Sequence, residues 1–440
     1  MTKKEKSVTV RDIPCEKKNR DYPCEDKNSK NRELKVWWYE RNIVFLLRNL
    51  RNAICVILLT SCMTDSLKNP FLIYGYEDPE HFCDRAEETA DIISALRNGR
   101  NISLIAPRRM GKTGLIHNVF HGIKQTDPSA ACFYVDIFAT KTLDDFVRYL
   151  GKNIVGKIDT PQQKAAGFVT SFFKSAKVVF SVDMLTGMPE ATLGFEPHLA
   201  KNTLEEIFAY LRQSERECYV AIDEFQQILE YEDTGVEAML RSMIQFCHNV
   251  HFIFSGSKRH MMVDIFTNAK RPFFQSTECM SLHPIPEDRY YLFAERFMRQ
   301  GGIVLNDDVF HDIYSRFEGH TWYVQYILNV IYEYAPEVVT FEDVNNAIVR
   351  ILRRNEDTYR ETLDRLSKNQ VYLLSAIANE GVVGQVNSGN FIRRYRLKGT
   401  SSVNRALEYL IDRELVYKQS DGYIVYNRFL GMWLKYTMSI

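Results

Sequence analysis

The chain lacks any excess of charge, any clustered cysteine and any long apolar run near its start, and each lack removes a class of protein. Lys plus Arg and Asp plus Glu both number 56 in 440 residues, so net charge points to no particular partner. The nine cysteines form no C-x-x-C pair and no Cys/His group at zinc spacing. They are read as reduced, mostly packed thiols of a cytoplasmic protein. The apolar run Ala53 to Leu59 is too short to cross a bilayer, and no membrane span is expected. A quarter of residues charged and 45% hydrophobic is an ordinary soluble composition, long enough for about two to four domains.

The first 66 residues also lack regularity. Met1 to Asn42 is crowded with Lys, Arg, Asp, Glu and Asn and has no apolar period, so it is expected to be disordered. Leu59-Thr60-Ser61-Cys62 resembles a lipoprotein cleavage site, but a signal peptide has its apolar core within roughly the first 15–30 residues. Met63 follows at once. Residues 1–66 are therefore assigned to a disordered or over-extended N-terminal segment, with residues 1–62 upstream of a natural start at Met63.

What is present begins with Ile102 to Thr113. A buried-strand run (Ile102 to Ile105) leads through Ala106, Pro107, Arg108, Arg109 and Met110 to Gly111-Lys112-Thr113-Gly114, which opens an apolar-faced helix. Strand, loop and helix in this order are what a phosphate-binding P-loop needs. Backbone N–H groups at the helix start cradle phosphate oxygens, and the helix dipole favours negative charge there. Lys112 is expected on the terminal phosphates and the Thr113 hydroxyl on Mg²⁺. Ala106 stands where the first glycine of the motif belongs.

Further strands are expected at Cys132 to Val135, Cys218 to Ile222, His251 to Phe254 and Thr277 to Leu282, alternating with helices. That alternation implies an α/β fold, a P-loop NTPase core with a parallel five-stranded sheet. The strand ending in Asp223-Glu224 supplies the second half of a nucleotide site. Asp223 is expected to hold Mg²⁺ and Glu224 to polarise the attacking water, the two motifs lying side by side. Ser255 or Ser257 is expected as a phosphate sensor after the fourth strand. Val178 to Phe195 reads as a hairpin. Arg271 is either an arginine finger or the partner of a surface carboxylate.

From Pro286 to about Leu366 the period is helical, with His320 at a helix start expected near the nucleotide. Three helices and a hairpin around Ser420-Asp421-Gly422 then give the order of a winged helix. The boundaries are 67–284 for the ATPase core, 285–365 for a helical lid and 366–440 for the C-terminal winged helix. Lys plus Arg outnumber Asp plus Glu ten to five in the last unit, concentrated at Arg393, Arg394, Arg396 and Lys398, which suits either phosphate-backbone contacts or a solvated face.

With these motifs the chain resembles archaeal-type ATPases of the AAA+/STAND group, common in archaea and Bacteroidetes, and through them origin-recognition-type initiator ATPases. The likeness spans about residues 69–434. It rests on Asn69-Pro70-Phe71, Phe82 with Asp84-Arg85, Pro107 to Thr113, Ile222 to Gln226, Ser255-Gly256-Ser257, and Tyr426-Asn427-Arg428-Phe429 with Trp433-Leu434. It implies an ATP-binding switch with Phe82 and Arg85 near the adenine. Ala106, Thr321 (for the proline of a Gly-His-Pro turn) and Asn427 (for aspartate) depart from the family pattern. The expected activity is slow Mg²⁺-dependent ATP hydrolysis driving a conformational switch, with DNA or protein partners and self-association open. The alternatives are a nucleotide-stabilised protein-interaction module with negligible hydrolysis, or a DNA-binding initiator-like ATPase.

Overall fold

Nine short strands are present among the described residues of a computed structural model, which are 68–159, 168–182, 189–419 and 421–438. They are β1 (Ile102–Ile105), β2 (Ala131–Asp136), β3 (Lys177–Val182), β4 (Pro189–Gly194), β5 (Cys218–Asp223), β6 (Val250–Gly256), β7 (Glu278–Ser281), β8 (Val416–Lys418) and β9 (Tyr423–Val425). The fold described is the unit Asn69–Ile440. The expectations for residues 1–66 and a start at Met63 lie outside the described residues.

Five strands form one parallel sheet in the order β2-β5-β6-β1-β7. Every residue of β5 and β6 is buried, which is why these strands read as unbroken apolar runs and require cover on both faces. Alternate residues supply the two faces. Val220, Phe252 and Phe254 pack with α3 (Leu143–Ile154) and α5 (Ala200–Arg212), whereas Tyr219, Ala221 and Ile253 pack with α1 (Ala86–Arg97) and α2 (Lys112–Thr126). Strand β6 is hydrogen-bonded between the P-loop strand β1 and the Asp223-Glu224 strand β5, and the two motifs meet at the C-terminal edge of the sheet.

The short helix α4 (Phe168–Phe172) follows α3, and the antiparallel hairpin β3–β4 is present as expected; the hairpin's turn lies outside the described residues. Helices α6 (Val236–Ile244) and α7 (Arg259–Thr267) flank β6. The lid region is α8 (Glu287–Gln300), α9 (Asp307–Arg316), α10 (Thr321–Tyr334), α11 (Phe341–Arg354) and α12 (Glu356–Asp364). The C-terminal unit is α13 (Lys368–Glu380), α14 (Gly389–Arg394), α15 (Thr400–Asp412), the β8–β9 hairpin and α16 (Arg428–Thr437). Among the described residues, no helix is long and apolar enough to cross a membrane.

Local chemistry sets several of these ends. Thr340 and Asp343 form a reciprocal capping box at α11, and Ser388 caps α14. The Asn427 side chain accepts from the backbone N–H groups of Phe429 and Leu430 at the start of α16. An aspartate would make the same bonds, so this family departure changes no contact. Ser401 does not cap α15. It sits inside the helix, whose N-cap is Gly399 with no side-chain bond.

One hydrophobic core runs without a break from the lid into the C-terminal unit, joining Tyr290, Phe310, Ile327 and Ile351 to Leu373, Leu410 and Leu434. The Asn69-Pro70-Phe71 stretch belongs to it. Asn69 and Asn329 exchange side-chain-to-backbone bonds, Asn69 Nδ2 to Asn329 O and Asn329 Nδ2 to Phe71 O, at 2.8 and 2.7 Å. They seat the Phe71 ring edge-on to Phe293, Phe297 and Tyr332. Phe71 is fully buried, so Phe71→Ala should lower stability by about 3–5 kcal/mol in urea unfolding; a loss below about 1 kcal/mol would mean that this anchor is not part of the core.

Candidate active site

The chemistry collects at the C-terminal edge of the sheet, where β1 runs into the loop before α2. Gly111 has φ +91°, a conformation glycine adopts freely, and it turns the chain into the helix. Ala106 is not among the positive-φ residues, so its methyl group is tolerated where the motif has glycine. The left-handed residue of the loop is instead Arg109, at φ +65°. Its guanidinium lies 4.0 Å from the centre of the Trp322 ring, a cation–π contact of about 0.5–2 kcal/mol that offsets the backbone strain.

Lys112 is only 6% exposed, and its ammonium donates to the carbonyls of Ala106 (2.9 Å) and Pro107 (3.1 Å). Burial lowers its pKa; the negative charges of Glu224 and Asp223 oppose the shift, and Arg108 adds to it. The Thr113 hydroxyl donates to Asp223 Oδ2 at 3.2 Å, reaching across the edge of β6. Two hard oxygen donors in contact form a set that fits Mg²⁺ better than a softer metal.

Tyr134, not singled out from the sequence, also donates to Asp223 Oδ2, and its hydroxyl lies 3.5 Å from Thr113 Oγ1. Burial first, then the Asp223 charge, raises its pKa, so the phenol stays a neutral donor. Its position near the end of β2, in register with Ala221, was the available signal.

Glu224 has φ +55°, which turns the chain sharply out of β5. Its Oε2 accepts from Gln226 Nε2 (2.5 Å) and from Ser257 Oγ (2.7 Å). The serine pair is thereby separated. Ser257 touches Glu224, while Ser255 is fully buried in β6 with an Oγ that has no partner among the described residues. Gly256 is required between them: a Cβ there would lie 2.3 Å from Gln226 Oε1.

A cleft of about 390 Å³ opens beside these groups, lined by Arg108 to Gly114, Asp223 and Glu224. Its far wall includes Tyr76, Phe82 and Arg85. Tyr76 stacks on His117 and meets Phe82 edge-on. Gly114 admits the Phe82 ring, since a Cβ would fall 2.8 Å from its Cε2. Arg85, 4% exposed, is fixed by Glu88 and the His283 carbonyl, both at 2.6 Å. A flat apolar wall beside a cationic phosphate loop suits a nucleotide.

Pro107 and His320 are not brought to this cleft; they line a separate cavity against the C-terminal unit. The loop is held there from outside. Arg108 pairs with Glu414 at 2.9 Å, and its backbone N–H donates to the Tyr426 hydroxyl at 3.2 Å. The fingertip role for Arg271 finds no support, because its guanidinium pairs with Glu237 (3.1 Å) and Asp264 (2.8 Å). Thr321, in place of proline, starts α10 with a buried hydroxyl that has no partner among the described residues.

Residues 357–436 match the family described as a probable winged helix domain. Among solved structures, the Walker-type ATPase PABY2304 of Pyrococcus abyssi is similar with TM-score 0.56 at 18% identity, covering 83% of this chain and 99% of that one. The ORC2 protein of Aeropyrum pernix, in ADPNP–ADP complexes, has TM-score 0.52 at 14% identity, covering 85% and 99%. No curated protein matches the chain. The fold is shared with these structures: a P-loop core with a parallel five-stranded sheet, followed by helices and a winged helix.

His320 gives this arrangement a pH signature. Burial, aided by Arg428 and Arg109, lowers its pKa to about 4. Unfolding restores an ordinary value near 6.5, so the unfolded chain binds the extra proton. The stabilisation from keeping His320 neutral is complete above about pH 6.5 and is lost as pH falls toward 4, amounting to up to about 3 kcal/mol. Urea unfolding between pH 7.5 and 4.5 should show a steeper acid loss in the wild type than in His320→Phe; parallel curves would remove the histidine from the account.

Proposed function

We propose that this chain is a Mg²⁺-dependent ATP-binding protein, a slow AAA+-type ATPase that works as a nucleotide-driven conformational switch. The observation that supports it most is the convergence of Lys112, Thr113, Asp223 and Glu224 on one cleft with a flat aromatic wall. The backbone N–H groups at the start of α2 would receive the phosphates. The Lys112 ammonium would exchange two loop carbonyls for phosphate oxygens. Phe82 and Arg85 would flank the adenine.

Thr113 and Asp223 would hold Mg²⁺, which when bound neutralises charge on the terminal phosphates. Tyr134 holds the Asp223 carboxylate toward Thr113. Glu224 would orient and deprotonate a water through Oε1, since Gln226 and Ser257 occupy Oε2. With Arg271 engaged by Glu237 and Asp264, a single chain provides no free arginine from that position to the transferred phosphoryl group, which accords with slow turnover.

A second reading, a nucleotide-stabilised interaction module that hydrolyses ATP negligibly, draws on the contacts of Glu414 and Tyr426 with the P-loop. They tie the winged helix to the nucleotide loop with no need of turnover. A DNA-binding, initiator-like role would use exposed Arg396 and Lys398 and follows the ORC2 likeness, in fold only. We place the protein in the cytoplasm and leave DNA, a protein or a second copy of the chain as its partner.

Titration with Mg·ATP and steady-state phosphate release separate these readings. Lys112→Ala should weaken ATP binding at least tenfold. Glu224→Gln should keep binding and lower turnover by about 10²–10⁴-fold. Wild-type turnover no faster than that of Glu224→Gln, with ATP bound, favours the interaction module. A wild type that binds no ATP overturns both. DNA binding that weakens steeply with salt and depends on Arg396 and Lys398 would favour the initiator role.

A further inference from the structure

A second cavity, of about 200 Å³, shares Arg108 and Arg109 with the nucleotide cleft but none of Met110 to Thr113. Its walls come from the P-loop, from the start of α10 and from the β8–β9 hairpin running into α16. Three arginines line it (Arg108, Arg109 and Arg428), and no carboxylate does. Glu414 and Glu318 each pair with one of these arginines from outside the lining. A guanidinium carries five N–H donors, so both pairs leave donors to spare.

The remaining polar groups are also mostly donors. The Tyr426 hydroxyl accepts from the Arg108 backbone N–H, which leaves its own proton to give. The Tyr417 hydroxyl has no partner among the described residues, and its ring packs edge-on to Tyr426. The amide side chains of Gln419 and Asn427 also line it, and Asn427 Oδ1 is taken by the backbone N–H groups of Phe429 and Leu430. His320 Nδ1 is buried without a partner, and its surroundings keep the ring neutral. An orphaned acceptor among cationic and hydroxyl donors is costly unless a ligand satisfies both kinds of group.

The volume falls below the roughly 300–1,000 Å³ of clefts that hold drug-sized ligands, so a nucleotide is too large and a small oxyanion fits. We propose that this cavity binds inorganic phosphate: its oxygens accept from Arg108, Arg428, Tyr417 and Tyr426, and its P–OH group donates to His320 Nδ1. Sulfate and the phosphodiesters of nucleic acid carry the charge but lack that proton. The bound ion bridges the P-loop, α10 and the winged helix, and so fastens the C-terminal unit to the nucleotide loop. The site does not require ATP hydrolysis, although hydrolysis would release this ion beside it.

Equilibrium dialysis with radiolabelled orthophosphate at neutral pH tests the assignment, with Lys112→Ala used to remove the cleft's own phosphate ligand. One phosphate per chain should remain in Lys112→Ala. Arg428→Gln should weaken it at least tenfold, and Tyr417→Phe, which removes only an unpartnered hydroxyl and should fold normally, about three- to tenfold. Sulfate should bind at least tenfold more weakly than phosphate. Binding lost in Lys112→Ala but kept in Arg428→Gln places the ion in the cleft and overturns the proposal. No binding up to about 10 mM phosphate, or sulfate bound as tightly, overturns it as well. The ATP titration above is read separately, so the failure of either assignment leaves the other standing or falling by its own result.

Discussion

The buried ammonium of Lys112 is the constraint on which the C-terminal edge of the sheet depends. Taking a charge out of water costs several kcal/mol unless the surroundings answer it. Here they answer it twice, at short range through the Ala106 and Pro107 carbonyls and at longer range through Asp223 and Glu224. The carbonyl contacts curl the loop over the lysine, so the loop's shape is set by the charge it encloses. The turn at Ala106 then needs no positive φ. The strain falls on Arg109, whose side chain has an indole to rest on.

The same loop is gripped on its outer side. Arg108 reaches Glu414 and Tyr426 in the C-terminal unit, and Arg109 reaches Trp322 at the start of α10. Three parts of the chain that are distant in sequence therefore meet on two consecutive residues. Tyr323 strengthens the junction, giving its hydroxyl proton to the Tyr426 carbonyl (3.3 Å) and accepting from the Arg428 backbone N–H (3.0 Å). A change in the loop's backbone is felt at once by both the lid and the winged helix.

Much of this could be read from residues alone, and the limits have physical causes. β1, β5 and β6 were legible because a strand buried on both faces is an unbroken apolar run between polar ends. The P-loop was legible because phosphate binding needs a fixed spacing along the backbone. Strand order was not, since hydrogen bonding between β1 and β6 leaves no mark in either strand. The difference between Ser255 and Ser257 turned on where the strand ends: Ser255 is buried within β6, whereas Ser257 lies beyond it against Glu224. Helix α12, with Tyr359 as its one fully packed side chain, is too polar to announce itself. The position of His320 beside the winged helix depends on docking, which no local pattern encodes.

The continuous core between the lid and the C-terminal unit limits what can move. Separating the winged helix from the lid would expose Phe429, which packs on Phe317, Trp322, Tyr323 and Tyr326, and Trp433, which packs on Tyr359, each worth about 1.5–3 kcal/mol of burial. The contacts of the winged helix with the P-loop are of another kind. The Arg108–Glu414 pair is about one-third exposed on each side and contributes on the order of 1 kcal/mol or less. A ligand bound at micromolar affinity has about 8 kcal/mol of interaction free energy, and an equilibrium shifts only by the part that differs between states. A few kcal/mol of that difference suffices to release the loop contacts and falls short of opening the core. Under the proposed function, then, the lid and winged helix turn as one body against the sheet. The chain crosses between the two bodies in the stretch from Phe71 to α1 and again at His283 to Ile285, where Arg85 from the nucleotide cleft holds the His283 carbonyl.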